Sequence, residues 1–331
     1  MSTMSVSETG LPPLPHGMQK ATLRLPSYPN SPLTYHYLPP SSSSSSSPLC
    51  IFINGLGLPQ AGWLPAIHSL LSQPAFAGPD SRPGVLTFDR FGQGQSPSLS
   101  PEDVKDPSKP AHVPLQIVYY MNELFRHFIS LDGNHSRRVI IIANSIGCPL
   151  TRLYLKHLGL GIDIAGIIFL DSMIANSDFL NDIWPDPDSS CFDAAQMLPE
   201  GVTVDQLRET RMKVHRVFSP NMPNREGLDR SRMREILPHA NEPKLPGDPV
   251  LYVVGHDPEV FAQSMEMNFG CPQSLCLRYA QKAWAGYNRG LTELSSRSRK
   301  EVIIAKGADH FIQKDKPELV AKLIVEMMDE L

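Results

Sequence analysis

From Leu49 onward, short unbroken apolar runs alternate with longer stretches whose apolar residues recur at helical spacing. The runs are LCIFIN (49–54), VLTFD (85–89), VIIIA (139–143), GIIFLD (166–171), PVLYVV (249–254) and EVIIA (301–305). None alternates apolar with polar residues, so each predicts a strand buried on both faces of a parallel sheet. Helical patterns over 61–72, 114–131, 146–158, 260–268 and 316–329 separate them. In the last, Leu319, Val320, Leu323, Ile324 and Met327 share one face. Two short strands, KATLRLP and LTYHYLP, come first, and PPSSSSSSSP joins them to the rest as a flexible polar stretch. This alternation predicts an α/β fold with a mostly parallel, doubly wound sheet and right-handed crossovers.

The rhythm breaks once. About 77 residues rich in Pro, Asp, Arg and Met separate GIIFLD from PVLYVV. A structureless loop of that length is out of place in a compact domain. Residues 174–245, with pieces such as TVDQLRETRMKVHRVF (203–218), are therefore expected to form an inserted, mostly helical cap after the sixth strand. Residues 20–173 and 246–331 then form the core, and residues 1–19 a flexible N-terminal segment.

Composition narrows the classes. The chain has 331 residues and 41% apolar content, enough for one large domain with an insertion. A formal charge of −4 makes no case for a nucleic-acid or anionic-membrane partner. The five cysteines form neither a CxxC pair nor a zinc spacing, and are expected to be reduced thiols. MSTMSVSETGLPPLPHG lacks the basic and apolar regions of a signal peptide, and no apolar run approaches the roughly 18–20 residues that span a bilayer. The final MDEL resembles an ER-retention signal, which is discounted without a secretory signal. A cytoplasmic protein is the expectation, and the oligomeric state is left open.

In an open α/β sheet, ligands bind beyond the carboxyl ends of the strands. The run VIIIA ends in Ala143-Asn144-Ser145-Ile146-Gly147, a serine between small residues at a strand-to-helix turn. Such a turn exposes a nucleophile above a helix N-terminus, although a serine there also caps helices. After LCIFIN, Asn54-Gly55-Leu56-Gly57 can present the Leu56 N–H, which with the Ile146 N–H would make an oxyanion hole. It is not a dinucleotide fingerprint, because Gln60 occupies the place of the third glycine. DRFGQGQS (89–96) reads first as structural punctuation. His310, in KGADHF after the last strand, suits a general base. Asp257, in GHDPEVF, is the first choice to orient it; Asp171 at the end of GIIFLD is the alternative acid, and Glu259 a third. His256 reads as a loop residue.

Taken together, ANSIG, INGLG, DRFGQGQS and GADHFIQKDKPELVA resemble motifs of the α/β-hydrolase superfamily, in the order Ser145, Asp257, His310. The resemblance spans Leu49 to Leu331. Ala143 stands where the family's first elbow glycine usually is, and Asn54 where a histidine usually is. The resemblance implies a serine hydrolase that needs no cofactor and no metal. Its expected substrate is an ester, lactone or thioester of a small hydrophobic metabolite, bound beside cap residues such as Phe179, Trp184, Phe192, Met212 and Phe218. Serine rather than aspartate at the elbow argues against epoxide hydrolase and haloalkane dehalogenase chemistry. C–C bond hydrolysis, acyl transfer with the same triad, or a non-catalytic small-molecule receptor are the alternatives.

Overall fold

A computed structural model describes residues 10–41, 47–78, 81–98, 112–131, 137–159 and 161–331. The serine run 42–46 and residues 1–9, both expected to be flexible, fall outside them. Eight strands form one sheet: β1 (Gln19–Leu25), β2 (Tyr28–Leu38), β3 (Leu49–Ile53), β4 (Gly84–Phe88), β5 (Val139–Asn144), β6 (Ile164–Leu170), β7 (Val250–His256) and β8 (Ile303–Ala305). Their spatial order is β1-β2-β4-β3-β5-β6-β7-β8. The hairpin β1–β2 joins antiparallel to β4, and the other pairings are parallel.

The continuous apolar runs have a direct cause. Successive strand residues point to opposite faces, and here both faces are covered. On one, Ile51, Ile53, Ile141, Ala143, Ile167 and Phe169 join a core with α2 (Pro114–Ser130) and α3 (Gly147–Leu158). On the other, Cys50, Phe52, Ile140, Ile142, Ile168 and Leu170 pack with α1 (Leu64–Leu71) and α11 (Pro317–Asp329). Residues 10–18, expected to be flexible, lie along the core: Met18 is buried, and the Pro13 carbonyl is 2.6 Å from His68 Nε2.

Between β6 and β7 the chain forms α4 (Ala194–Met197), α5 (Val204–Phe218) and α6 (Met233–Ile236). Only α5 is long, with a capping box between Thr203 and Gln206. Prolines and Asx turns occupy much of the remainder, as at Asp178 and Asp186, so this stretch holds less helix than expected. Between β7 and β8, the helix expected over 260–268 forms as α7 (Pro258–Phe269), and α8 (Gln273–Cys276), a π-turn (Leu277–Gln281) and α9 (Lys282–Leu291), which were not expected, follow it. The single turn α10 (Ile312–Asp315) precedes α11. Among the described residues, no helix is long and apolar enough to cross a membrane.

Candidate active site

Ser145 follows β5 with φ 55°, a left-handed conformation that costs about 1–3 kcal/mol in a non-glycine residue. Its neighbours hold it there: its N–H donates to the Leu170 carbonyl at 3.1 Å, and its carbonyl accepts from the Met173 N–H at 3.2 Å. Gly147 permits α3 to start immediately, because a Cβ there would lie 2.7 Å from the Ile53 carbonyl oxygen. The tight contact is thus with the end of β3; Ala143 is accommodated in the core with its methyl fully buried.

The loop after β8 brings His310 to this turn. His310 Nε2 lies 3.0 Å from Ser145 Oγ. Asn144 steadies the approach, since its Nδ2 donates to the carbonyls of Leu170 at 3.0 Å and His310 at 3.1 Å. On the far side, His310 Nδ1 donates to Asp171 Oδ2 at 2.5 Å. Asp171 follows directly on β6, is fully buried, and also has a left-handed backbone, φ 43°. Among the described residues, three non-glycine residues have positive φ, and two of them are Ser145 and Asp171. Burial alone would raise the Asp171 carboxyl, but hydrogen bonds and charge from His256 and His310 outweigh it and hold it well below the usual carboxylate range.

The acid favoured from sequence is therefore corrected. Asp257 does not reach His310. Its Oδ1 accepts from the Glu259 N–H at 3.2 Å, capping α7, and its Oδ2 accepts from the Gly307 N–H at 2.9 Å. The Gly307 bond lowers its pKa at the partly exposed surface. Glu259 is exposed in the first turn of α7. Asp171 preserves the order serine, acid, histidine along the chain.

His256, read as a loop residue, ends β7 and is buried. Its Nδ1 donates to Asp171 Oδ1 at 2.7 Å, and its Nε2 lies 2.8 Å from Gln281 Oε1. The sheet register contained the signal: Leu170 pairs with Val254, which places the residue after β6 beside the end of β7.

The Asn54–Gly57 turn packs against the serine, for a Cβ on Gly55 would meet Asn144 Oδ1 at 3.0 Å and Ser145 Cβ at 3.3 Å. It is tied down by DRFGQGQS, which does more than punctuate. Arg90 donates to the Asn54 carbonyl at 2.7 Å and the Gly55 carbonyl at 3.0 Å. Gln93 Nε2 donates to the Gly55 carbonyl at 2.7 Å, and Trp63 Nε1 donates to Asn54 Oδ1 at 2.7 Å. Glu226, from the stretch between β6 and β7, pairs with Arg90 at 3.0 Å and accepts from the Gly57 N–H. Sequence reasoning missed Arg90, Gln93 and Glu226, since nothing local marks two buried charges 136 residues apart as partners.

Of the expected cap aromatics, Phe179 contacts Trp184, Phe218 and Trp284 with ring centroids 6.3, 4.9 and 5.2 Å away. Trp284, from α9, lies 6.1 Å from the His310 ring. Phe192 is half-buried, whereas Met212 points to solvent at 49% exposure.

Comparisons with known proteins agree with this architecture. The model described as "Alpha/beta hydrolase family" matches residues 50–323. No curated protein sequence matches the chain. An epoxide hydrolase from Vigna radiata superposes with TM-score 0.54 at 11% identity, covering 95% of this chain and 99% of that one. Potato (Solanum tuberosum) epoxide hydrolase I gives 0.53 at 13%, covering 95% and 100%. A putative hydrolase from Agrobacterium vitis S4 gives 0.53 at 12%, covering 94% and 99%. At these identities the likeness is one of fold.

Proposed function

The chain belongs to the alpha/beta hydrolase family, and on that footing we propose that it is a serine hydrolase. It cleaves an ester, lactone or thioester of a small hydrophobic metabolite through an acyl-enzyme. The observation that carries this reading is the chain of contacts from Ser145 Oγ to His310 at 3.0 Å and from His310 to Asp171 at 2.5 Å.

His310 Nε2 takes the hydroxyl proton as Ser145 Oγ bonds to the substrate's carbonyl carbon. The oxyanion lies between the Ile146 N–H, at the start of α3, and the Leu56 N–H; the close approach of Gly55 to Ser145 supports that pairing. The alcohol or thiol departs with the proton from His310. Water then gives a proton to His310 and attacks the acyl carbon, and Ser145 leaves reprotonated as the acid is released. Asp171 holds the Nδ1–H tautomer and balances the transient imidazolium. Residues 174–245 act as a cap, and the cluster of Phe179, Trp184, Phe218 and Trp284 suits an apolar acyl chain. A hydroxyl nucleophile forms an acyl-enzyme only with a carbonyl compound. That separates this reading from the epoxide opening named for the Vigna and potato enzymes, which calls for a carboxylate at the elbow.

A fluorophosphonate probe tests the nucleophile. Native protein gains the mass of one phosphonyl group on the peptide containing Ser145, and Ser145→Ala gains none. A native protein left unlabelled at Ser145 defeats the reading.

A further inference from the structure

Asp171 serves two imidazoles, and the reaction above uses one. The second, His256, is 3% exposed, stacked on Phe261 at 4.2 Å and edge-on to Trp284 at 5.3 Å. Its Nδ1 faces a carboxylate, which only accepts hydrogen bonds, so this nitrogen carries a proton. Its Nε2 faces Gln281 Oε1 at 2.8 Å, an acceptor in this orientation of the amide, whose Nε2 has no hydrogen-bond partner among the described residues; in this orientation the His256 Nε2 is a donor as well. Charge balance agrees. Among the described residues, the Asp171 carboxylate takes its hydrogen bonds from His256 and His310 alone. With His310 neutral before reaction, a neutral His256 would leave a fully buried carboxylate without a counter-ion, which is costly.

We propose that His256 is held as an imidazolium, a fixed counter-ion to Asp171, and acts as a positioning residue that keeps the acid ionised and draws part of its charge away from His310. The idea rests on the Ser145–His310–Asp171 reading for its effect on the reaction, but not for the protonation of His256. Its consequence for the reaction is relative: sharing Asp171 leaves less carboxylate charge facing His310, so loss of the His256 charge is expected to move the acid limb of the reaction upward.

The groups facing His256 are consistent with this. Asp171 lies against it from β6, with His310 beyond that carboxylate, and Asp309 acts from the loop after β8. Phe261, Gln281 and Trp284, from the helices between β7 and β8, bring no charge. Cys276, which interacts with Gln281, is kept as a thiol by its hydrogen bond with Cys271 and by burial. Burial disfavours the His256 cation, yet Asp171 and Gln281 raise its proton affinity above the ordinary histidine value.

Two measurements on the full chain decide the matter. Nitrogen NMR of histidine-labelled protein, with His256→Asn identifying the resonances, is expected to find both ring nitrogens of His256 protonated at pH 7. A single protonated nitrogen overturns the proposal, whether or not Ser145 is a nucleophile. The pH dependence of fluorophosphonate labelling is then compared for native protein, His256→Asn and Gln281→Leu. Gln281→Leu keeps apolar volume beside His256 and removes the acceptor that supports its second proton, together with the contact to Cys276. Both variants are expected to move the acid limb upward, His256→Asn by about one pH unit. An unmoved acid limb in both folded variants, or an equal loss at every pH, overturns the proposal and leaves the serine assignment standing. Failure to label native protein at Ser145 overturns the proposed effect on the reaction together with that assignment, and the NMR result alone then decides the charge of His256.

Discussion

Asp171 and Asp257 follow neighbouring strands, but only Asp171 turns toward His310. Asp171 leaves β6 through a left-handed backbone that aims its carboxylate at His310. Asp257 has extended backbone, φ −74° and ψ 119°, and spends its carboxylate on the first turn of α7 and on Gly307. Asp171→Asn is therefore expected to lower kcat by about 10⁴-fold, the loss typical when an oriented triad acid becomes an amide. Asp257→Asn should leave kcat within a few-fold, and Asp257→Ala should cost about 1 kcal/mol or less as a lost, partly exposed helix cap. Steady-state rates and urea midpoints of the three variants check this; an Asp257→Asn enzyme as slow as Asp171→Asn would reverse the assignment. The serine and the histidine were legible because each stands at the end of its own strand in a recognisable sequence. The acid was not, because two carboxylates met the same positional rule. What separates them is a backbone dihedral and a helix cap, neither of which has a signature in residue type.

Among the elements, the central strands were the most readable, since a strand covered on both faces has to be apolar throughout. The stretch Gln273–Leu291 was overlooked although Cys276, Ala280, Trp284, Tyr287 and Leu291 keep helical spacing and are buried; across the π-turn at Leu277–Gln281 the polar Gln281 is buried as well, and Leu275 is out of phase with Trp284. Gly286 and Gly290 dilute the pattern further. The turn from β5 into α3 gives the sharpest test at this scale. A methyl on Gly147 would sit 2.7 Å from backbone oxygen at the end of β3, which cannot rotate away. Gly147→Ala is expected to destabilise the fold by about 1–3 kcal/mol as the turn is pushed from the sheet, with a matching fall in Ser145 labelling. Gly286, exposed in α9, has open space where its Cβ would go. Gly286→Ala should be stabilising by up to about 1 kcal/mol. Chemical denaturation of the pair separates a steric requirement from a general intolerance of alanine for glycine.

Across the whole molecule, the stretch between β6 and β7 is tied to the Asn54–Gly57 turn beside Ser145 by the buried Arg90–Glu226 ion pair. Arg90 and Glu226 are both fully shielded from solvent, and both grip the Asn54–Gly57 turn, whose Gly55 packs against Ser145. Gly92 lets the two segments meet, because a Cβ there would lie 2.8 Å from the Glu226 carbonyl oxygen. Removing one partner leaves the other charged in a dry interior, so Glu226→Ala is expected to cost about 3–5 kcal/mol. Replacing both partners is different in kind. Arg90→Met combined with Glu226→Leu removes both charges and keeps apolar volume, and should cost less than either single substitution. Stability and labelling should then part company. The double variant recovers much of its urea midpoint, yet loses the hydrogen bonds that position the turn, and its Ser145 labelling stays depressed by about 10-fold or more. If labelling recovers along with stability, the pair serves the fold alone. If labelling stays low in a stable protein, the stretch between β6 and β7 sets the geometry of the Asn54–Gly57 turn on which the reactivity of Ser145 depends.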